Sequence, residues 1–162
     1  MVEEWKTDFS LSIIPSFHHS AYRLTTQSIT ARMPSIFTRI INGEIPCYKI
    51  AEDENYFAFL DIFPLAKGHV LVVPKKEIDY LFDIDDAALG GLMVFAKKVA
   101  RAIDKAVPCT RVGVAVVGLE VPHAHVHLIP LNSIDDINFS GPKLKLEKEE
   151  LEKIAEAIRA QL

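Results

Sequence analysis

The stretch His123-Ala124-His125-Val126-His127-Leu128-Ile129-Pro130 dominates the interpretation of this chain, because it alternates histidine with apolar residues. Successive side chains of an extended strand point to opposite faces. The spacing therefore predicts three imidazoles on one face of a sheet and the apolar residues toward a core. Side chains two positions apart on a strand stand about 6.5 Å from each other, so neighbouring rings can touch one phosphate-sized or metal-sized group. We predict that the functional site is built on this strand.

Composition predicts one globular domain. The chain has 162 residues, 49% hydrophobic and 25% charged, which is enough for a single domain with a proper core. Its net charge of -4 argues against a nucleic-acid partner, which favours a basic surface. Apolar runs such as residues 112–119 are far shorter than the roughly 20 residues that span a bilayer, so no membrane segment is predicted. Cys47 and Cys109 lack a C-x-x-C spacing, which favours a reduced, cytoplasmic protein over a disulfide scaffold.

Residues 1–32 differ in character from the rest of the chain. They mix acidic residues with a Ser/Thr-rich stretch and show no sustained helical or strand period. A secretory signal needs a basic start and a continuous apolar stretch, whereas Pro15 directly interrupts Ile13-Ile14. We predict a disordered or peripheral extension at 1–32 and the functional domain at 33–162, with Met33 as an alternative start.

Periodicity in the remaining sequence predicts alternating strands and helices. β-branched and aromatic runs predict strands at residues 48–51, 56–61, 69–74, 111–117 and 123–130. Helices are predicted at 35–42, at 85–107 and over the amphipathic stretch 151–162. The closely spaced last two strands predict an antiparallel hairpin, and the long helix before them predicts an α+β fold. We expect the helices on one face of the sheet and the histidines on the other.

Three aligned histidines admit three interpretations. The first is a polar strand face or rings packed beside the core, although buried imidazoles are costly without partners. The second is a metal site, since H-x-H on a strand binds zinc through neutral rings, and His69 and Glu120 could complete the ligand set. The third is chemistry at phosphorus, in which one imidazole attacks a phosphoryl centre while its neighbours neutralise charge and handle protons.

The histidine stretch resembles the H-φ-H-φ-H-φ-φ motif, with φ apolar, of the histidine triad (HIT) family of nucleotide hydrolases and transferases. Two upstream segments are similar to that family in order and spacing: Ile36-Phe37-x-x-Ile40-Ile41-x-Gly43-Glu44-Ile45-Pro46 and Phe57-Ala58-Phe59-Leu60-Asp61-Ile62-x-Pro64-x-Ala66-x-Gly68-His69. The resemblance implies the HIT fold, an antiparallel five-stranded sheet with one long and one C-terminal helix. It also implies a homodimer in which the two sheets are continuous.

The resemblance implies a role for each polar residue of the motifs. His125 would be the nucleophile that attacks an α-phosphate and forms a nucleotidyl-imidazole intermediate, with its other ring nitrogen held by a backbone carbonyl. His127 and His69 would contact phosphate oxygens or the leaving group, and His123 would support the arrangement. Asp61 would accept hydrogen bonds from the ribose hydroxyls.

The implied activity is hydrolysis of a purine nucleotide at the α-phosphate, with phosphoramidates or aminoacyl adenylates as the favoured substrates. Four apolar residues resemble the family's base-stacking wall: Ile36, Phe37, Phe59 and Ile62. Cleavage of dinucleoside polyphosphates is one alternative. A nucleotide-binding regulatory module with little turnover is another.

Three features depart from the family pattern, one of them being the apolar stretch 114–117, which lacks the asparagine that relatives often carry near the phosphate. Many relatives carry a C-x-x-C pair where this chain has Ser35 and Thr38, so a structural zinc site of that kind is not expected. No metal or cofactor is predicted. The turn before the triad contains Leu119-Glu120, where eukaryotic relatives often have a glutamine and a hydroxyl residue. Glu120 is expected either to supply a proton to a departing amine or to cap the turn.

Overall fold

The computed structural model describes residues 33–162, which form an antiparallel sheet with helices on both faces. The strands are β1 (Lys49–Glu52), β2 (Tyr56–Leu60), β3 (Val70–Pro74), β4 (Arg111–Ala115) and β5 (Val126–Leu131). The helices are α1 (Ile36–Ile41), α2 (Asp86–Ala106) and α3 (Lys148–Arg159), with short 3-10 turns at Leu81–Asp83 and Ile134–Ile137. The predicted α+β class and five-stranded antiparallel sheet are confirmed.

Two predictions concern segments of the chain rather than the sheet. The predicted extension at residues 1–32 lies outside the described residues. None of the helices in residues 33–162 combines the length and the hydrophobicity that a membrane span requires.

The strand order β1-β2-β3-β5-β4 places the histidine strand inside the sheet. β5 pairs with β3 on one side and with β4 on the other, so that His127 lies opposite Leu71 and Ala115. A one-residue slip in register would move every side chain of the strand to the opposite face. Hydrogen-bonded pairing with both β3 and β4 therefore fixes the face of the sheet from which His127 projects.

Alternation along the strands divides the buried side chains between the two faces of the sheet. One face packs on α2 and α3 in a large apolar cluster that includes Leu60, Val72, Leu92, Ile103, Leu128 and Ile158. The other face carries the histidines and a smaller cluster of Phe37, Phe57, Phe59, Leu71 and Val73. The prediction that all helices pack on one face is wrong for α1, because its Phe37 packs on the histidine face. Burial of that ring stabilises the placement by about 2 kcal/mol.

The short helix α1 begins and ends as its sequence predicts. The hydroxyl oxygen of Ser35 accepts a hydrogen bond from the Thr38 N–H at 3.1 Å, which caps the helix. Gly43, just beyond the last turn, has a φ of 77°, a conformation that glycine adopts without steric cost. These caps determine where Phe37 projects toward the sheet.

The strand that carries the triad is shorter than predicted. Regular β-structure begins at Val126, so the first two histidines precede it. β3 ends at Pro74, and its carbonyl oxygen accepts a hydrogen bond from the His123 ring at 2.8 Å. The Ala124 N–H donates to the carbonyl of Ile78 at 2.6 Å instead of to a strand partner. This segment keeps the side-chain alternation of a strand, since Ala124 packs into the core, but it lacks the ladder.

The other boundaries agree with the sequence to within a few residues. Helix α2 is one residue shorter at either end than predicted, and Asp85 caps it by accepting from the Ala88 N–H at 3.0 Å. β4 ends at Ala115 rather than at residue 117. Ala115 pairs with His127, and β5 begins only one residue before His127, at Val126, so residues beyond Ala115 have almost no strand to pair with.

Candidate active site

His125 lies at the centre of the site and is 5% exposed. Its Nδ1–H donates a hydrogen bond to the carbonyl oxygen of His123 at 2.7 Å. Because a carbonyl can only accept, the proton of the neutral ring resides on Nδ1 and Nε2 keeps its lone pair. Edge-to-face contacts with Phe37 (ring centroids 5.2 Å apart) and His127 (4.9 Å) orient the ring. The arrangement offers a nucleophilic nitrogen.

His123 is fully buried and uses both ring nitrogens inside the protein. Its Nε2–H donates to the Pro74 carbonyl, and the Ser35 hydroxyl donates to its Nδ1, both at 2.8 Å. Burial lowers the pKa of His123, which favours the neutral ring that these two bonds require. With both nitrogens occupied, His123 positions the carbonyl that binds His125.

Glu77 extends this network through the start of α1. Its carboxylate accepts from the Ser35 N–H at 2.9 Å and from the Thr38 hydroxyl. The bond from Thr38 is the main cause that lowers the pKa of Glu77. The two residues that replace a C-x-x-C pair thus link His123 to a carboxylate by hydrogen bonds. Glu77 is not recognisable as part of the site from the sequence, since a glutamate after two lysines forms no motif.

His69 and His127 form a hydrogen-bonded pair. The Leu65 N–H donates to Nδ1 of His69 at 3.2 Å, so the neutral His69 ring carries its proton on Nε2. That Nε2–H donates to Nδ1 of His127 at 3.0 Å, which leaves the His127 proton on Nε2. Burial lowers the pKa of both rings to about 3, so both are neutral near pH 7. His127 therefore offers a neutral N–H donor to a ligand.

Asp61 follows β2 and lies next to His69. One carboxylate oxygen accepts from the Phe63 N–H at 2.8 Å, and the other lies 3.6 Å from Nδ1 of His69. That distance is too long for a hydrogen bond, and Nδ1 already accepts from Leu65. Burial raises the pKa of Asp61, although the bond from Phe63 opposes the shift. Its second oxygen has no donor among the described residues and is available to ligand hydroxyls.

The four predicted wall residues comprise two buried and two exposed side chains. Phe37 and Phe59 pack edge to face with ring centroids 5.5 Å apart and belong to the small apolar cluster. Ile36 and Ile62 are 48% and 53% exposed. Covering exposed apolar surface is favourable, so the two isoleucines are available to an apolar ligand surface while the phenylalanines pack beneath the site.

Glu120 lies in an exposed turn before the triad. The turn contains Gly118, with a φ of 69°, and Leu119, which is 87% exposed. Within residues 33–162, Glu120 has neither a hydrogen-bond nor an ion-pair partner. The structure thus leaves it outside the hydrogen-bonded histidine cluster.

Only some of the residues that could bind zinc lie close together in the structure. Asp61, His69 and His127 have ligand atoms within 4.8 Å of one another, whereas Glu120 is not part of this group. Both nitrogens of His69 are engaged, one by Leu65 and one by His127. A metal at these atoms would have to break those bonds, so the described residues fit a metal-free histidine site better than a preformed zinc site.

Phe139 and Lys143 join the site from the loop after β5, which the sequence analysis did not single out. The Phe139 ring lies edge to face on His127, with centroids 4.8 Å apart. Lys143 Nζ donates to the Phe139 carbonyl at 2.9 Å. No spacing in the sequence connects this loop with the triad, so only the fold reveals the contact.

Comparison with known proteins agrees with the fold and the site. Residues 42–134 match the model of the HIT domain. An uncharacterized HIT-like protein of Borreliella burgdorferi is 37% identical over 128 residues, which cover 74% of this chain and 92% of the relative. The adenosine 5'-monophosphoramidase hnt1 of Schizosaccharomyces pombe is 32% identical over 132 residues, which cover 80% of this chain and 99% of the relative.

A solved structure shares the architecture. A HIT-like protein of Bartonella henselae, described as involved in cell-cycle regulation, superposes with a TM-score of 0.70 and 34% identity. The match covers 79% of this chain and 96% of that protein. The sheet and the buried histidines define a histidine triad domain, and the chain belongs to the HIT family.

Proposed function

We propose that this protein is a nucleotide hydrolase that acts at the α-phosphorus of purine nucleoside phosphoramidates or aminoacyl adenylates. The observation that carries the proposal is the tautomer of His125, whose Nδ1–H is held by the His123 carbonyl while Nε2 keeps its lone pair. A neutral imidazole of this kind is a nucleophile near pH 7. The S. pombe relative, an adenosine 5'-monophosphoramidase, supports the phosphoramidate class.

The proposed reaction has two steps. In the first, Nε2 of His125 forms a bond to the α-phosphorus, and the bond from phosphorus to the leaving nitrogen or carboxylate oxygen breaks. The leaving group departs with its electron pair, and a leaving nitrogen takes a proton from solvent or from Glu120. In the second step water attacks phosphorus and loses a proton to solvent, the bond from phosphorus to Nε2 breaks so that the ring recovers its lone pair, and the nucleoside monophosphate is released. The Nε2–H of His127 hydrogen-bonds a phosphorus-bound oxygen in both steps.

The nucleoside is proposed to occupy the surface beside Asp61. The carboxylate oxygen that lacks a donor would accept from the ribose hydroxyls. Ile36 and Ile62, both about half exposed, would be covered by the purine, with Phe37 and Phe59 packed below.

The proposal is tested with adenosine 5'-phosphoramidate as substrate. We expect the wild type to release ammonia and AMP, and His125→Ala to lose turnover by about a thousandfold or more because no other nitrogen can form the intermediate. Mass spectrometry of the acid-quenched wild-type protein should detect the nucleotidyl adduct, and the variant should lack it.

Four outcomes would redirect the proposal. Full turnover by His125→Ala would exclude His125 as the nucleophile. Tight AMP binding without product release would favour the regulatory module, and faster cleavage of dinucleoside polyphosphates would favour that substrate class. Stoichiometric zinc together with inactivation by a chelator would favour the metal interpretation.

We further propose that the protein acts as a homodimer joined through β4. This strand forms one edge of the described sheet, and an unpaired edge readily accepts another strand. Val114 on β4 and Val94 on α2, which contacts β4, are 51% and 70% exposed. Analytical ultracentrifugation should detect a dimer that Val114→Arg converts to a monomer. Phe82→Arg, at an exposed apolar position on the 3-10 turn before α2 rather than on β4, should leave the dimer intact.

A further inference from the structure

The loop of residues 138–144 is anchored beside the triad at two points. Phe139 packs on the His127 ring. Near the other end, the Leu144 N–H donates to the Pro64 carbonyl at 2.9 Å, which ties the loop to the segment between β2 and β3. Both contacts involve elements that also carry Asp61 or the histidines. The loop is therefore part of the wall of the site.

Lys143 is positioned at this wall by contacts with Phe139. Its ammonium donates to the Phe139 carbonyl at 2.9 Å and lies 5.3 Å from the centre of the Phe139 ring. A lysine ammonium has three N–H donors, and this contact uses one of them. The side chain is otherwise exposed, so two donors are available to a ligand.

Within residues 33–162, the His69–His127 pair beside this loop supplies no positive charge that could neutralise a phosphate. Burial lowers the pKa of His69 and His127 to about 3, so neither ring carries charge near neutral pH. The positive charge of Lys143 contributes to the lowered pKa of His69 and of His127, and it opposes the increase that burial causes in the pKa of Asp61. Lys143 therefore acts electrostatically on this part of the site. Transfer at phosphorus places negative charge on the phosphorus-bound oxygens, which a cation stabilises far better than a neutral donor.

We infer that Lys143 is a phosphate-binding residue, whose ammonium pairs with the phosphorus-bound oxygens of a nucleotide held against His127 and Asp61. The inference rests on the proposed nucleotide hydrolase function. It gives the site a fixed cation that the hydrogen-bonded pair of neutral rings, His69 and His127, does not provide, and it assigns a role to the loop after β5.

Binding of AMP, measured by calorimetry, tests the inference with full-length protein. Lys143→Gln should raise the AMP dissociation constant about tenfold, because a charge-assisted contact is lost. The difference from wild type should shrink as salt is raised, since ions screen the lost charge. Lys143→Arg, which keeps the charge, should bind nearly as tightly as wild type. Lys145→Gln removes an exposed lysine two residues away and should leave AMP binding unchanged.

The outcomes separate this inference from the proposed function. Equal AMP affinity of Lys143→Gln and Lys145→Gln would overturn the phosphate-binding role, even if the wild type hydrolyses adenosine 5'-phosphoramidate. A wild type that binds no AMP would overturn it as well. Salt-dependent loss of AMP affinity in Lys143→Gln, without phosphoramidate turnover by the wild type, would retain the Lys143 site and reject the hydrolase.

Discussion

His125 keeps one ring nitrogen free because a backbone carbonyl binds the other. The same residue type has a different role two positions on, where His127 accepts from His69 and keeps an N–H for a ligand. His123 has neither option, since Ser35 and Pro74 occupy both of its nitrogens. Three chemically identical side chains thus become a lone-pair donor, a hydrogen donor and a support through their partners alone.

The Ser35 hydroxyl is expected to contribute to stability as well as to the position of His123. Ser35→Ala removes the N-cap acceptor of α1 and the donor to His123 Nδ1 in one change. We expect the free energy of unfolding to fall by about 1–3 kcal/mol in urea denaturation. The exposed loop residue Ser140, changed to alanine, is the control and should have an effect below about 0.5 kcal/mol. Equal effects of the two variants would contradict the buried network.

The role of Glu120 can be determined from how Glu120→Gln affects substrates with different leaving groups. If it supplies a proton to a departing amine, Glu120→Gln should slow phosphoramidates with poor amine leaving groups more than those with activated ones. The measurement is kcat/KM across a series of amines of graded basicity. A uniform effect across the series would assign Glu120 to the turn rather than to the chemistry.

At the scale of elements, α2 has two adjacent glycines with different surroundings. A Cβ at Gly91 would lie 2.3 Å from the hydroxyl oxygen of Tyr56, which donates to the Ala88 carbonyl at 2.7 Å. A Cβ at Gly90 would meet nothing within 4 Å. The helix therefore needs glycine only at the position that faces β2.

Alanine at these two positions should change stability in opposite directions. Gly91→Ala displaces a buried tyrosine and should lower the free energy of unfolding by about 1–3 kcal/mol. Gly90→Ala should raise it by roughly 0.5–1 kcal/mol, since alanine loses less backbone entropy in a helix. Chemical denaturation of the two variants beside the wild type measures both effects. Equal effects of the two substitutions would show that Tyr56 does not restrict the helix.

For the whole molecule, the buried neutral histidines predict a loss of stability in mild acid. The unfolded chain protonates His69 and His127 near pH 6.5, whereas the folded chain does so only near pH 3. Between these values the unfolded state binds more protons, so stability falls as the pH falls below about 6.5. From pH 7 to 5.5 the loss should be roughly 1 kcal/mol for each histidine.

Urea denaturation at several pH values between 7 and 5.5 checks this linkage, because most carboxylates stay ionised in that range. His69→Gln removes one of the buried histidines whose pKa is lowered and should reduce the slope of stability against pH, whatever its effect on stability at pH 7. An unchanged slope would contradict the assignment of a neutral buried pair.

Local patterns in the sequence were sufficient for most of the architecture. The 3.6-residue period of α2, its Asp85 cap and the β-branched run of β3 determine those elements through neighbours in the chain. The start of β5 does not follow from the local pattern, because the ladder ends where the His123 ring binds the Pro74 carbonyl, a contact between residues far apart in sequence. The placement of α1 on the histidine face was missed for the same reason, since it depends on the packing of Phe37.

The sequence by itself determined the family, the antiparallel α+β sheet and the set of histidines, because alternation and motif spacing are local properties of the chain. Only the tertiary structure decided which nitrogen of each ring carries the proton, and that Glu77, Phe139 and Lys143 belong to the site. Hydrogen-bond partners and buried environments come from segments that are distant in the chain. They set tautomers and pKa values that no spacing of residues encodes.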